Sequence, residues 1–145
     1  MRNHVVPLLL ALSSPAFAGL GGNPAPVAVG GPGASVAQRL VPARPYTVRD
    51  IRTGDGGTIR EYVSAEGKVF GVAWAGPTMP DLRELFGEQF EEFREGVRAR
   101  RNARGPVSIA RPNLVVQSGG HMRAFRGRAW LPQLLPAGVS GDEIK

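Results

Sequence analysis

The sequence predicts an α+β domain, a small antiparallel sheet with one long amphipathic helix packed across one face. Three observations predict it. Residues alternate between two unlike faces from Thr58 to Ser64, a nearly continuous apolar run follows from Lys68 to Ala75, and from Leu82 apolar residues recur at helical spacing. Strands joined by glycine turns, with one helix between the third and fourth, favour one antiparallel sheet with the helix across one face.

The first eighteen residues stand apart from that domain. Arg2, the apolar run Val5–Leu12 and the small-x-small site Ala16-Phe17-Ala18 predict a secretory signal peptide over 1–18, cut before Gly19. Pro7 and Pro15 break it, and no later run approaches the roughly twenty apolar residues that cross a bilayer, so no transmembrane span is expected in the mature chain. The expected destination is the periplasm or the medium.

Residues 19–45 are dense in Gly, Pro and Ala and predict a flexible leader, with Val36–Val41 as a patch for docking at a sheet edge. The domain proper is expected over 46–135. Tyr46–Thr53 reads as a first strand, and Gly54-Asp55-Gly56-Gly57 as the turn into Thr58–Ser64. Gly67 supplies the next turn, and Val69, Phe70, Val72 and Trp74 suit a strand buried on both faces. Thr78-Met79-Pro80-Asp81 has the hydroxyl-to-carboxylate spacing of a helix start. Leu82, Leu85, Phe86, Phe90, Phe93 and Val97 then fall within an arc of roughly 140°. That stripe, with Trp74, reads as core. Acids crowd the first turns and arginines the last, which complements the helix dipole, while Gly87 and Gly96 weaken the helix.

Past the helix, Val107–Ile109 predicts a short strand, Leu114–Ser118 the next and Met122–Leu131 the last. Gly119-Gly120 suits a two-residue turn, which would set Ser118 opposite His121, Gln117 opposite Met122 and Val116 opposite Arg123. Arg126 and Arg128, two apart, share a strand face. Residues 136–145 are expected to form an exposed tail.

Composition removes several chemistries. The chain has no cysteine, so disulfides, thiolate nucleophiles and thiolate metal sites are excluded. His121 is the one histidine left after cleavage, and no acidic calcium-loop pattern occurs, so neither metal nor cofactor is expected. The net charge of +6 is unevenly spread: eight arginines and no acid lie between Gly96 and Gly141. That asymmetry calls for an anionic partner or for a match to the protein's own acidic helix start.

The runs Arg60-Glu61-Tyr62-Val63, Gly67-Lys68-Val69-Phe70, Pro80-Asp81-Leu82 and Ser118-Gly119-Gly120-His121-Met122-Arg123 resemble a family of secreted proteobacterial proteins catalogued only as a domain of unknown function. The likeness extends over nearly the whole chain, from the signal peptide into Gly19-Leu20-Gly21-Gly22 through to Leu135-Pro136. The resemblance implies export and a shared fold. It transfers no activity, cofactor or catalytic residue.

Three functional readings follow from the residues. The first is a non-enzymatic binding or assembly module of the cell envelope, presenting Arg123, Arg126 and Arg128 to an anionic lipid or polysaccharide through charge-assisted hydrogen bonds. An exported chain points away from nucleic acid. The second is a metal-independent hydrolase using His121 as general base, which also requires an orienting carboxylate and a nucleophile. The third is a structural partner of another envelope protein through a strand edge. Against these stand plainer roles: a turn histidine bonded to local backbone, a solvated charged face, and Glu61 in cross-strand pairing with an arginine.

Overall fold

The computed structural model describes residues 19–24, 30–100 and 104–145; the expected signal peptide lies outside them. Seven antiparallel strands form one sheet in the order β1-β2-β3-β4-β7-β6-β5. They are β1 Ser35–Leu40, β2 Tyr46–Arg52, β3 Thr58–Ser64, β4 Val69–Gly76, β5 Val107–Ala110, β6 Val115–His121 and β7 Ala124–Trp130. The helix lies between β4 and β5 in sequence and packs on one face, so the α+β expectation holds.

The two faces of the sheet have separate cores. Ile59, Val72, Trp74, Val116 and Ala129 pack with Leu85 and Phe86 of the helix. Trp74, Phe86, Phe90 and Phe93 make a chain of ring contacts, with adjacent centroids 5.1–6.0 Å apart, which is the core role their spacing predicts. Tyr46, Val48, Tyr62, Phe70 and Ala73 bury the opposite face. A β-bulge separates these sets: Tyr62 pairs with Gly71 but Val63 with Val69, so Phe70 is the extra residue and turns to the second core. The apolar run of β4 is thus buried on both faces.

The helix begins at Leu82, not at Thr78. Asp81 is its N-cap, and its carboxylate accepts from the backbone N–H groups of Arg83 and Glu84. It is also interrupted. Gly87, at φ 53°, ends α1 (Leu82–Phe86), a 3-10 turn spans Gly87–Gln89, and α2 continues over Phe90–Arg98. Gly96 has a packing reason: a Cβ there would stand 2.7 Å from Cγ2 of Ile109, so β5 approaches the helix closely.

Three expectations change. The leader is ordered wherever it is described. Leu20 is buried under α1, Gly21 and Gly22 bond to Val69, and Ser35–Leu40 pairs along β2, because the sheet has apolar surface and an open edge for them. The tail is not exposed either. Val139 and Ile144 enter the second core, and Ile144 fills the space left by Gly71, whose Cβ would lie 2.6 Å from its Cδ1.

The third change is the β6–β7 register. Gly119 and Gly120 lie within β6, and the turn falls at Met122-Arg123, with His121 opposite Ala124 and Ser118 opposite Gly127. This register sets Val116 beside Ala129 in the core; the expected one would have put the charged Arg123 there. Gly120 is required in its strand position, since a Cβ would lie 2.2 Å from the carbonyl oxygen of Ala124.

Candidate functional site

The strand registers align one residue from each of the seven strands in a row: Ala37, Asp50, Arg60, Ala73, Arg128, Gln117 and Ser108. Because alternate residues share a face, this row lies on the side covered by the chain's last segment, with Tyr62 in the neighbouring row. Asp50 accepts from Arg60 at 2.7 Å and from Arg39 at 3.1 Å. Burial alone would raise its pKa, but these two guanidinium hydrogen bonds outweigh it and hold the carboxyl below its ordinary value.

Arg60 and Arg128 flank Ala73 and both reach the last segment. Arg60 donates to the main-chain oxygen of Lys145 at 2.7 Å, and Arg128 to that of Ile144 at 3.2 Å. Tyr62 closes the arrangement, its hydroxyl donating to the Lys145 oxygen and accepting from the Lys145 N–H. Arg128 is further held by Gln117 at 2.8 Å, stacks on Trp130, and has the exposed Asp142 3.7 Å away. Upstream, Glu143 accepts from the Tyr46 hydroxyl at 2.9 Å and pairs with Arg44. Burial first, and then Glu143, raise the pKa of Tyr46.

Arg126 is placed differently. It lies one row further along β7 between Ala75 and Gly119, is exposed, and has no ion pair among the described residues. With Arg128 it borders a groove of about 780 Å³ that also takes in Trp74, Pro106, Val107 and the main chain at Gly119 and Gly127. Trp74 is buried, and its indole Nε1 has no hydrogen-bond partner among the described residues. It also borders a second cavity of about 390 Å³ on the Gly30–Pro32 and Thr78–Pro80 side.

The arginine group predicted from sequence is therefore only partly assembled. Arg126 and Arg128 share the groove; Arg123 occupies the exposed turn at φ 65°, outside it. His121 is exposed at the end of β6, and its expected neighbour Ser118 lies opposite Gly127 instead. No carboxylate pairs with His121 among the described residues. Arg60, Tyr62 and Gln117 lie outside the sequence-predicted set, although they surround Arg128 and the last segment. Their proximity depends on one pairing between strands distant in sequence, β4 with β7, which no local pattern encodes.

The remaining basic residues are partly neutralised within the protein. Arg111 bonds to Glu92, one of the early-turn acids and in the first turn of α2, and lies 3.5 Å from Glu95, so at Arg111 the basic segment meets the acidic part of the protein's own helix. Glu61, fully buried, pairs across the strands with Arg49, the arginine partner anticipated for it. Among the described residues there is no group of three or more metal-ligating side chains, and no helix is long and apolar enough to cross a membrane.

No curated protein and no solved structure matches the chain significantly. Residues 16–144 match the family model described as a protein of unknown function (DUF2844), and the chain belongs to that family.

Proposed function

We propose that the protein is an exported, non-enzymatic binding or assembly module of the cell envelope whose arginine face takes an anionic partner. One observation carries the reading. Arg126 is an exposed guanidinium beside a groove, with no carboxylate of its own among the described residues, whereas Arg60, Arg111 and Arg128 are already engaged. A free guanidinium presents a planar fork of donors that fits carboxylate or phosphate. The signal-like residues 1–18 support export, and with it an anionic lipid or polysaccharide as the partner.

The test is retention of the purified protein on anionic envelope lipids and polysaccharides across a salt series. Binding at low ionic strength that fades as salt shortens the Debye length supports the reading. No retention at low ionic strength sinks it.

A second reading has its own observation. β1 is an edge strand of six residues with Leu40 80% exposed, and among the described residues no further strand pairs with its outer side. A protein partner adding a strand there would be held by main-chain hydrogen bonds and would be insensitive to salt.

A further inference from the structure

β1 is one edge of the sheet, and the registers fix which of its main-chain groups face outward. Thr53 donates to Gly57, and the pairing continues unbroken into β2 and β3, so odd-numbered residues of β2 bond to β3 and even-numbered ones to β1. In the β1–β2 register those even-numbered residues meet Ser35, Ala37 and Arg39. The N–H and C=O groups of Val36, Gln38 and Leu40 therefore point away from the sheet, where no further strand takes them up among the described residues.

We propose that β1 pairs with β1 of a second copy, antiparallel about Gln38, so that two seven-stranded sheets join into one. The inference rests on the strand-edge reading and names its partner.

The two edges of the sheet are not alike. β5 has four residues, follows Pro106 directly and packs against α2, where Gly96 meets Ile109. Arg100 also donates to the Pro106 carbonyl at 2.8 Å. β1 has six residues in unbroken register with β2 and contains no proline, glycine or bulge, the devices that ordinarily keep an edge from pairing. Its one charge, Arg39, is turned onto Asp50 of its own sheet.

Self-complementarity selects the occupant. With a two-fold axis at Gln38, Val36 lies opposite Leu40 of the copy, Gln38 opposite Gln38 and Arg39 opposite Ala37. Leu40, 80% exposed, thereby gains an apolar neighbour on the face where Val36 already packs on the core. An axis at Ala37 would set Leu40 against Ala34 and Val36 against Gln38. One at Arg39 would set two arginines directly opposite each other, which is unfavourable. The contact is isologous and closes at two copies. So short an interface lies at the weak end of the specific range, and a concentration-dependent dimer is expected.

Because the chain has no cysteine, a single introduced one is an unambiguous probe. Position 38 would face itself at a Cα separation of about 5.5 Å, suited to a disulfide, whereas the two copies of position 35 would be roughly 20 Å apart. Gln38→Cys and Ser35→Cys are oxidised in air, and wild type and Leu40→Lys are followed by sedimentation equilibrium. The proposal expects disulfide dimer from Gln38→Cys about tenfold faster than from Ser35→Cys, and self-association weakened about tenfold in Leu40→Lys. Added salt should leave the wild-type dimer unchanged or tighten it, since both copies carry the same net positive charge. Equal oxidation rates, a wild type still monomeric at about 1 mM, dissociation by salt, or unaltered association in Leu40→Lys overturns it. Amide exchange separates it from the wider reading. Val36, Gln38 and Leu40 should gain protection as chain concentration rises. Protection only on adding an envelope protein extract, in a chain that stays monomeric, overturns self-pairing and leaves the strand-edge reading intact; no protection in either condition removes both.

Discussion

Gly127 lies against the indole of Trp74, its partner across β4 and β7: a Cβ on Gly127 would stand 2.2 Å from Cζ2 and 2.5 Å from Cε2. The absent side chain is what lets a tryptophan lie across the neighbouring strand in the core beneath the helix. Gly127→Ala must displace the ring or bend β7. The expected cost is about 1–3 kcal/mol, as for other overpacked cores, read from the urea midpoint at constant m-value. An unchanged midpoint would mean the ring has room to move.

The Arg49–Glu61 pair is buried, with Glu61 fully enclosed and the Arg49 side chain 13% exposed. Removing one partner leaves a charge without compensation in a poorly solvating site. Glu61→Leu alone should cost about 3–5 kcal/mol, whereas Arg49→Leu/Glu61→Leu should cost much less than the sum of the single changes. Additive losses in a double-mutant cycle would show the two residues to be independent.

Asp50 has a lowered folded pKa despite the opposing effect of burial, because Arg60 and Arg39 hydrogen bond its ionised form. A depressed carboxylate contributes stability above its unfolded pKa, about 3.9, and that contribution disappears as pH falls through the lower folded value. Stability measured by urea unfolding should therefore fall on acidification below about pH 4, and less steeply in Asp50→Asn. Equal slopes would contradict the assignment.

Tyr46 has the opposite sign. Its folded pKa is raised by burial and by Glu143, so its contribution is intact below the unfolded value of about 10 and lost at higher pH. Tyr46→Phe should flatten the alkaline limb of the stability profile; an unchanged limb would place the loss elsewhere.

Ile144 anchors the last segment over Gly71, and the main-chain oxygens beside it receive Arg60, Tyr62 and Arg128. Ile144→Ala should cost about 2–5 kcal/mol, the range for large-to-small core changes. A loss below about 1 kcal/mol, the usual scale of surface substitutions, would mean the segment is a loose cover and not part of the core.

What the sequence disclosed follows from the range over which each signal acts. The alternation of β3 and the apolar stripe from Leu82 to Val97 are local, and both elements stand where those patterns put them. Gly119-Gly120 is a sound turn signal that lost to a non-local one, the burial of Val116 beside Ala129. Leu20, Val139 and Ile144 lie in Gly- and Pro-rich or polar surroundings, so composition concealed core residues that only an assembled sheet could recruit. The same holds for the groove. Period-2 spacing placed Arg126 and Arg128 on one face, but their position beside Ala75 and Ala73 arises from β4 pairing with β7 across the intervening helix and two strands.

Anion binding by the arginine face is tested most directly by a charge-matched comparison. Wild type, Arg126→Ala and Arg104→Ala are titrated with anionic phospholipid vesicles at low salt; both arginines are exposed, but only Arg126 borders the groove. The prediction is an affinity loss of about tenfold for Arg126→Ala and within about twofold for Arg104→Ala, the difference between a sited charged hydrogen bond and diffuse attraction. Equal losses in the two variants would show that net charge alone draws the protein to the anion, and would contradict a binding site at Arg126.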